Sequence, residues 1–167
     1  MSDTPRWRIV IGCDEAGWEY KELIRRDLEA DERVGEVVDL GVKEGEPTPY
    51  SEIGIEAGQR IAAGAADRAV LICGTGIGMA ISANKVPGIR ATTAHDSFSA
   101  ERSVLSNNCQ VLTMGQRVIG SELARRLAHE WVGYVFDPSS PSQAKVAVID
   151  RYEQAARTAG PGSASSQ

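Results

Sequence analysis

The stretch that most constrains this chain runs from Leu71 to Lys85, LICGTGIGMAISANK. The apolar run Ala69 to Ile72 reads as a buried parallel strand, Cys73 ends it, and Gly74, Gly76 and Gly78 form a loop before a helix-forming segment. Open α/β sheets hold ligands outside the carboxyl ends of their strands, which is where this order puts Cys73. Glycines let successive backbone N–H groups converge on an anionic atom, and the start of the next helix adds its positive end. A nucleophile or base beside such a nest can act on an oxyanion. The structural alternative is a small buried cysteine followed by a tight turn.

Around this centre, strand and helix patterns alternate. Arg8 to Cys13 is β-rich and ends in the acidic turn Asp14-Glu15-Ala16-Gly17; Tyr20, Leu23, Ile24 and Leu28 then recur at helical spacing. Val34 to Leu40 is the second strand. After a polar loop, Ser51 is placed to cap a helix whose buried face is Ile53, Ala57, Ile61 and Ala62. The glycine loop's helix runs to about Lys85, Ile89 to Ala94 is strand four, and a helix spans about Ser97 to Leu105. Gln110 to Met114 is strand five, and Leu123, Leu127 and Trp131 mark the inner face of the following helix. A last helix, Gln143 to about Arg157, has no strand after it. The pattern predicts an α/β fold, a parallel sheet of five strands covered on both faces, with an extra C-terminal helix suited to a partner subunit. Residues 1–159 form one domain in this reading, and the small polar segment 160–167 a disordered tail.

Composition narrows the function. A net charge of −5 over 167 residues without a basic run argues against nucleic acid. No apolar stretch reaches membrane-spanning length and no signal-peptide pattern opens the chain, so a cytoplasmic protein is expected. Three cysteines without C-x-x-C, and only two histidines, give neither a disulfide framework nor a zinc or other His-rich metal site, while a carboxylate-bound Mg²⁺ stays open; no cofactor is expected. The loop is G-x-G-x-G, with Met79 where a dinucleotide fingerprint has its last glycine.

Other candidates cluster at strand ends. Asp14 and Glu15 follow strand one and could shuttle a proton or hold sugar hydroxyls, or simply cap the next helix. His95 and Asp96 follow strand four, where Asp96 or Ser97 is also a plausible N-cap. Arg117 and Lys145 are possible phosphate holders. His129, among charges in mid-helix, reads as surface.

The segments Leu71-Ile72-Cys73-Gly74-Thr75-Gly76-Ile77-Gly78-Met79 and Ala83-Asn84-Lys85-Val86-Pro87-Gly88-Ile89-Arg90-Ala91 resemble the ribose-5-phosphate isomerase B / galactose-6-phosphate isomerase family. So do Ile11-Gly12-Cys13-Asp14, Asn107-Asn108 and Gly115-Gln116-Arg117-Val118-Ile119-Gly120, and the likeness spans about Ile9 to Tyr152. It implies a Rossmann-like three-layer αβα sandwich, a homodimer (or tetramer) with active sites at the subunit interface, and metal-free aldose–ketose isomerisation through a cis-enediolate. Some members use a cysteine as base and others a glutamate in the glycine loop. Cys73, with Met79 at the glutamate's place, resembles the cysteine type. The resemblance casts Thr75 and Asp14 as proton carriers for O1 and O2, Gly74, Gly76, Ile77 and Gly78 as enediolate holders, and Asn107 and Arg117 as groups crossing the interface to sugar and phosphate. A thiol near a helix N-terminus also ionises more readily than a free one.

Four departures bear on the substrate. Glu15 replaces the family's histidine after Asp14, Thr48-Pro49 its Tyr-Pro, Ser106 its ring-opening histidine, and Pro141 with Lys145 its arginine clamp. A four-carbon 4-phosphate cannot close a furanose, because the oxygen that would close it carries the phosphate. Such a substrate has no use for a ring-opening group and needs its phosphate held nearer the thiol. The run Ala94 to Ser99 with Glu101 to Asn107 also resembles the family's D-erythrulose 4-phosphate branch. The expectation is therefore D-erythrulose 4-phosphate to D-erythrose 4-phosphate, with Glu15 and Lys145 near the substrate. The alternatives are ribose 5-phosphate isomerisation, a non-catalytic sugar-phosphate sensor, and a redox protein pairing Cys73 with Cys13.

Overall fold

A computed structural model describes residues 6–159; the expected tail at 160–167 lies outside the described residues. The order is β1 (Trp7–Cys13), α1 (Trp18–Glu29), β2 (Val34–Asp39), α2 (Tyr50–Ala62), β3 (Arg68–Cys73), α3 (Ile77–Ala83), β4 (Ala91–Thr93), α4 (Ser97–Leu105), β5 (Val111–Gly115), α5 (Ser121–Gly133) and α6 (Ser142–Ala159). The strands form one parallel sheet in the order β2-β1-β3-β5-β4. This is the α/β architecture expected from the alternating pattern.

Side-chain alternation along the strands divides the core in two. Ile9, Ile11, Val70, Ile72, Leu112 and Met114 meet α1, α4 and α5 on one face. Val10, Ala69, Leu71, Cys73 and Val111 meet α2 and α3 on the other. The chain leaves β1 for β2 on one side and then returns to place β3 on the other. The strand order therefore reverses between β1 and β3, and the crevice at their carboxyl ends is where such sheets bind ligands. Asp14 and Cys73 sit there.

Several details differ from the sequence reading. Helix α2 begins at Tyr50 with Pro49 as N-cap, so Ser51 lies inside the helix and caps nothing. Its buried face is Ile53, Gly54, Ala57 and Gly58; Ile61 is half-buried and Ala62 exposed. A Cβ at Gly54 would lie 2.7 Å from Ser82 Cβ and 2.9 Å from the Met79 carbonyl oxygen, so the two glycines let α2 lie directly on α3. Leu123 is exposed, and α5 rests instead on Ala124, Leu127, Ala128 and Trp131. Strand β4 is only three residues long, because Ile89 still belongs to the turn and donates its amide to the Val86 carbonyl. Asn84 acts as a substitute strand beside it: its Nδ2 donates to the Ala91 carbonyl and its Oδ1 accepts the Ala91 amide, both at 2.8 Å.

Helix α6 is held by Val146, by an Arg90–Asp150 ion pair at 2.9 Å and by the Gly88 amide on Glu153 at 2.7 Å. Val148, Ile149 and Tyr152 on it are exposed. No helix among the described residues is long and apolar enough to cross a membrane.

The α2–α3 contact carries the glycine loop, because α3 begins one residue after Gly76. Gly54→Ala forces that contact apart. It should lower stability by about 2 kcal/mol and Tm by about 6 °C, read by thermal unfolding.

Candidate active site

Cys73 closes β3 and is 4 % exposed. Its side chain belongs to the α2–α3 side of the core, beside Met79 and Ile53. It is thus a packed residue, yet its sulfur engages the loop: the Gly76 N–H donates to Sγ at 3.0 Å. Sulfur in this position is a hydrogen-bond acceptor, the role a base requires.

The loop that follows is pressed onto the end of β5. Gly76 has φ +81°, and a Cβ there would lie 2.9 Å from the Met114 nitrogen. A Cβ at Gly115 would lie 2.6 Å from Thr75 Cα and 2.7 Å from the Gly74 carbonyl oxygen. Backbone therefore meets backbone, which only glycine allows. Hydrogen bonds lock the approach: the fully buried Thr113 hydroxyl donates to the Gly76 carbonyl at 2.8 Å. The Gln116 amide donates to the Cys73 carbonyl at 2.9 Å and the Arg117 amide to the Gly74 carbonyl at 3.0 Å. Thr75 is exposed, and its Oγ1 accepts the Ile77 amide at 3.3 Å. Two amides assigned to the substrate by resemblance, those of Gly76 and Ile77, are thus already used to shape the loop. The Tyr50 ring covers Gly78, where a Cβ would collide with it.

Asp14 stands directly after β1, its amide donating to the Ile72 carbonyl at 3.3 Å, one residue from the thiol. It does not cap α1, whose N-cap is Gly17. Burial pushes its carboxyl pKa up; the Ala16 amide on Oδ1 at 3.0 Å opposes this, Glu15's charge adds to it, and Arg117's charge lowers it. The net direction is upward, toward a group that can carry a proton. Glu15 itself is exposed.

Arg117 stands at the mouth of the same loop. Its side chain lies over Gly74 of its own chain, with a Gly74 Cβ position 3.4 Å from the guanidinium, and its field reaches Asp14. Its own amide, tied to the Gly74 carbonyl, roots the cation beside this loop. Asn107, by contrast, is not brought to Cys73. It is exposed past the end of α4, its Nδ2 donating to the Arg102 carbonyl at 3.1 Å. It lines a groove of about 690 Å³ with Arg90, Cys109, Ile149 and Tyr152. Ser106 is the C-cap of α4, and Lys145 is exposed on the first turn of α6. A second groove, about 950 Å³ beside Asp27, Arg125 and His129, lies between α1 and α5 and away from the thiol.

Cys13 belongs to the opposite face of the sheet from Cys73, so the two do not form a redox pair. Burial drives the thiol pKa of Cys13 and Cys109 up to about 11. Met79 is fully buried, so its position offers no group to the loop. Asp96 is an N-cap, accepting the Ser99 amide at 2.7 Å. His129 is exposed against Arg33 and Asp31. Thr113 and Tyr50 were missed: the first is visible as a polar residue in an apolar strand, the second carries no pattern.

The model of the Ribose/Galactose Isomerase family matches residues 9–149. The chain is 59% identical over 149 residues to D-erythrulose-4-phosphate isomerase 2 of Mycolicibacterium smegmatis, covering 89% of this chain and 98% of that one. It is 44% identical to ribose-5-P isomerase B of Listeria innocua, covering 88% and 97%. Among solved structures, ribose-5-phosphate isomerase B of Clostridium thermocellum superposes with a TM-score of 0.83 at 34% identity, covering 89% and 98%. With its sheet order, its thiol-bearing glycine loop and these likenesses, the chain belongs to the Ribose/Galactose Isomerase family of sugar-phosphate isomerases.

Proposed function

We propose that this chain interconverts D-erythrulose 4-phosphate and D-erythrose 4-phosphate, with Cys73 as the base. The observation that carries the reading is the Cys73 sulfur held as an acceptor by the Gly76 amide beside Asp14, whose carboxyl pKa burial raises. The thiolate removes a proton from C1 of the open-chain ketose. The cis-enediolate then receives that proton at C2, giving the aldose. Protons on O1 and O2 exchange through Asp14 and the Thr75 hydroxyl. Among the described residues the Gly78 amide donates to no protein group, and it is free for the enediolate oxygen. Arg117, lying over Gly74, supplies positive charge at the same mouth.

The C4 substrate is favoured by Ser106, which leaves no ring-opening imidazole at the end of α4, and by the likeness to the M. smegmatis enzyme. The molecule acts as a homodimer in this reading. The exposed apolar residues Ile149 and Tyr152 of α6 line the groove that holds Asn107, and a second copy there would carry Asn107 to its partner's thiol. Lys145 would meet the phosphate from the same side, and Glu15 the sugar hydroxyls. The three cysteines are free, as suits the cytoplasm.

Initial rates on the two phosphates test the substrate. The tetrulose should be turned over at least about tenfold faster than ribose 5-phosphate, a discrimination of ordinary size for one altered site group. The reverse order would assign the chain to pentose chemistry. Co-expressed Cys73→Ala and Asn107→Ala chains test the shared site. Each alone should be nearly inactive, whereas mixed dimers should restore about a quarter of wild-type activity per chain, since half the dimers are mixed and half their sites intact. No recovery would place Asn107 outside the site.

A further inference from the structure

His95 has no part in the chemistry above, yet its ring is tied to the loop that performs it. It follows β4, and its Nε2 accepts the backbone N–H of Gly115 at 3.0 Å. Gly115 is the residue whose backbone presses on Thr75 and on the Gly74 carbonyl. Its own carbonyl accepts the amides of Val118 and Ile119, and the next two amides hold the carbonyls of Cys73 and Gly74. A shift of Gly115 therefore moves the Thr75 hydroxyl, the cradle of Cys73 and the root of Arg117 together.

We infer that His95 is a positioning residue for the isomerase reaction. Its neutral imidazole anchors Gly115, and through it the Cys73–Thr75 loop and Arg117. Protonation of the ring would point a second N–H at the Gly115 N–H and turn an attraction into a repulsion. The inference rests on the isomerase reading only for its effect on rate; the anchor itself is a property of the ligand-free protein.

The surroundings favour the neutral ring. Burial lowers the imidazole pKa from its ordinary 6.5, and the neighbouring Asp96 carboxylate pulls the other way but is spent capping α4. From β5 and its loop the ring meets the uncharged Gly115 backbone, while the Arg117 side chain is laid over Gly74. With the folded pKa below the unfolded one, this group's contribution to stability is complete above about pH 6.5. It is lost as pH falls through the lower, folded value.

His95→Gln and His95→Leu test the anchor. Glutamine places a non-titrating acceptor near the Nε2 position; leucine removes it. The leucine variant should lose kcat by about tenfold, the effect of one ordinary hydrogen bond, with a smaller change in KM. Glutamine should restore most of that loss at pH 8 and fall less steeply than wild type below pH 6.5. In nitrogen NMR of the ligand-free wild type, Nδ1 should carry the proton and the Gly115 amide should track the imidazole titration. Glutamine as impaired as leucine, unchanged kinetics and pH profile in both, or a proton on Nε2 would each overturn the proposal. If the leucine variant does not fold, the glutamine pH profile decides. If wild type turns over neither sugar phosphate, the isomerase reading fails, and the Gly115 titration alone decides the anchor.

Discussion

Everything at the proposed site depends on the absence of two side chains where the β3 loop lies on the end of β5. Gly76 and Gly115 bring the two backbones within distances no Cβ would tolerate, and the Thr113 hydroxyl fastens the approach from inside the core. The loop cannot swing away, because three of its carbonyls, from Cys73, Gly74 and Gly76, are held by groups of β5 or the loop after it. Such fixed donors and acceptors need no reorganisation when charge develops on a substrate, and so they outweigh flexible ones.

The same crevice stores a local penalty. Asp14's pKa is raised by burial, so the folded state is favoured while the carboxyl is protonated and loses that advantage as pH rises through its folded pKa. Burial at this position thus works against the charged form of Asp14. Nearby, α1 meets the end of β2 through nearly buried Lys21, whose Nζ lies 2.7 Å from Asp39 and 3.2 Å from the Val42 carbonyl. Burial works against its charge, but Asp39 and Glu22 more than offset that and raise its pKa. The rim is thus firm where it supports the thiol and strained at one acid.

The fold and the thiol loop were legible in the sequence because each has a one-dimensional signature. Apolar runs ending in turn residues marked the strands, and Cys73 followed by alternating glycines marked the ligand end of one of them. What escaped was contact between backbones. Gly54 and Gly58 bury a helix face without a hydrophobic side chain, so a reading of apolar periodicity chose Ile61 and Ala62 in their place. His95 and Gly115 are distant in sequence and join through an amide no pattern reports. The position of Arg117 over Gly74 follows from its amide reaching the Gly74 carbonyl, a contact no motif reports. Asp96 was ambiguous in sequence because a carboxylate at a strand end can cap or catalyse; its bond to the Ser99 amide resolves it.

The central claim is that the Cys73 sulfur moves the proton. Its most direct test is exchange of substrate hydrogen with heavy water, measured alongside ligand binding for wild type and Cys73→Ala. Wild type should wash the C1 proton of the ketose into solvent. The variant should lose that exchange by about a thousandfold, within the range of a positioned base, while still binding the sugar phosphate. A variant that exchanges at the wild-type rate would contradict the account and move the base to another group.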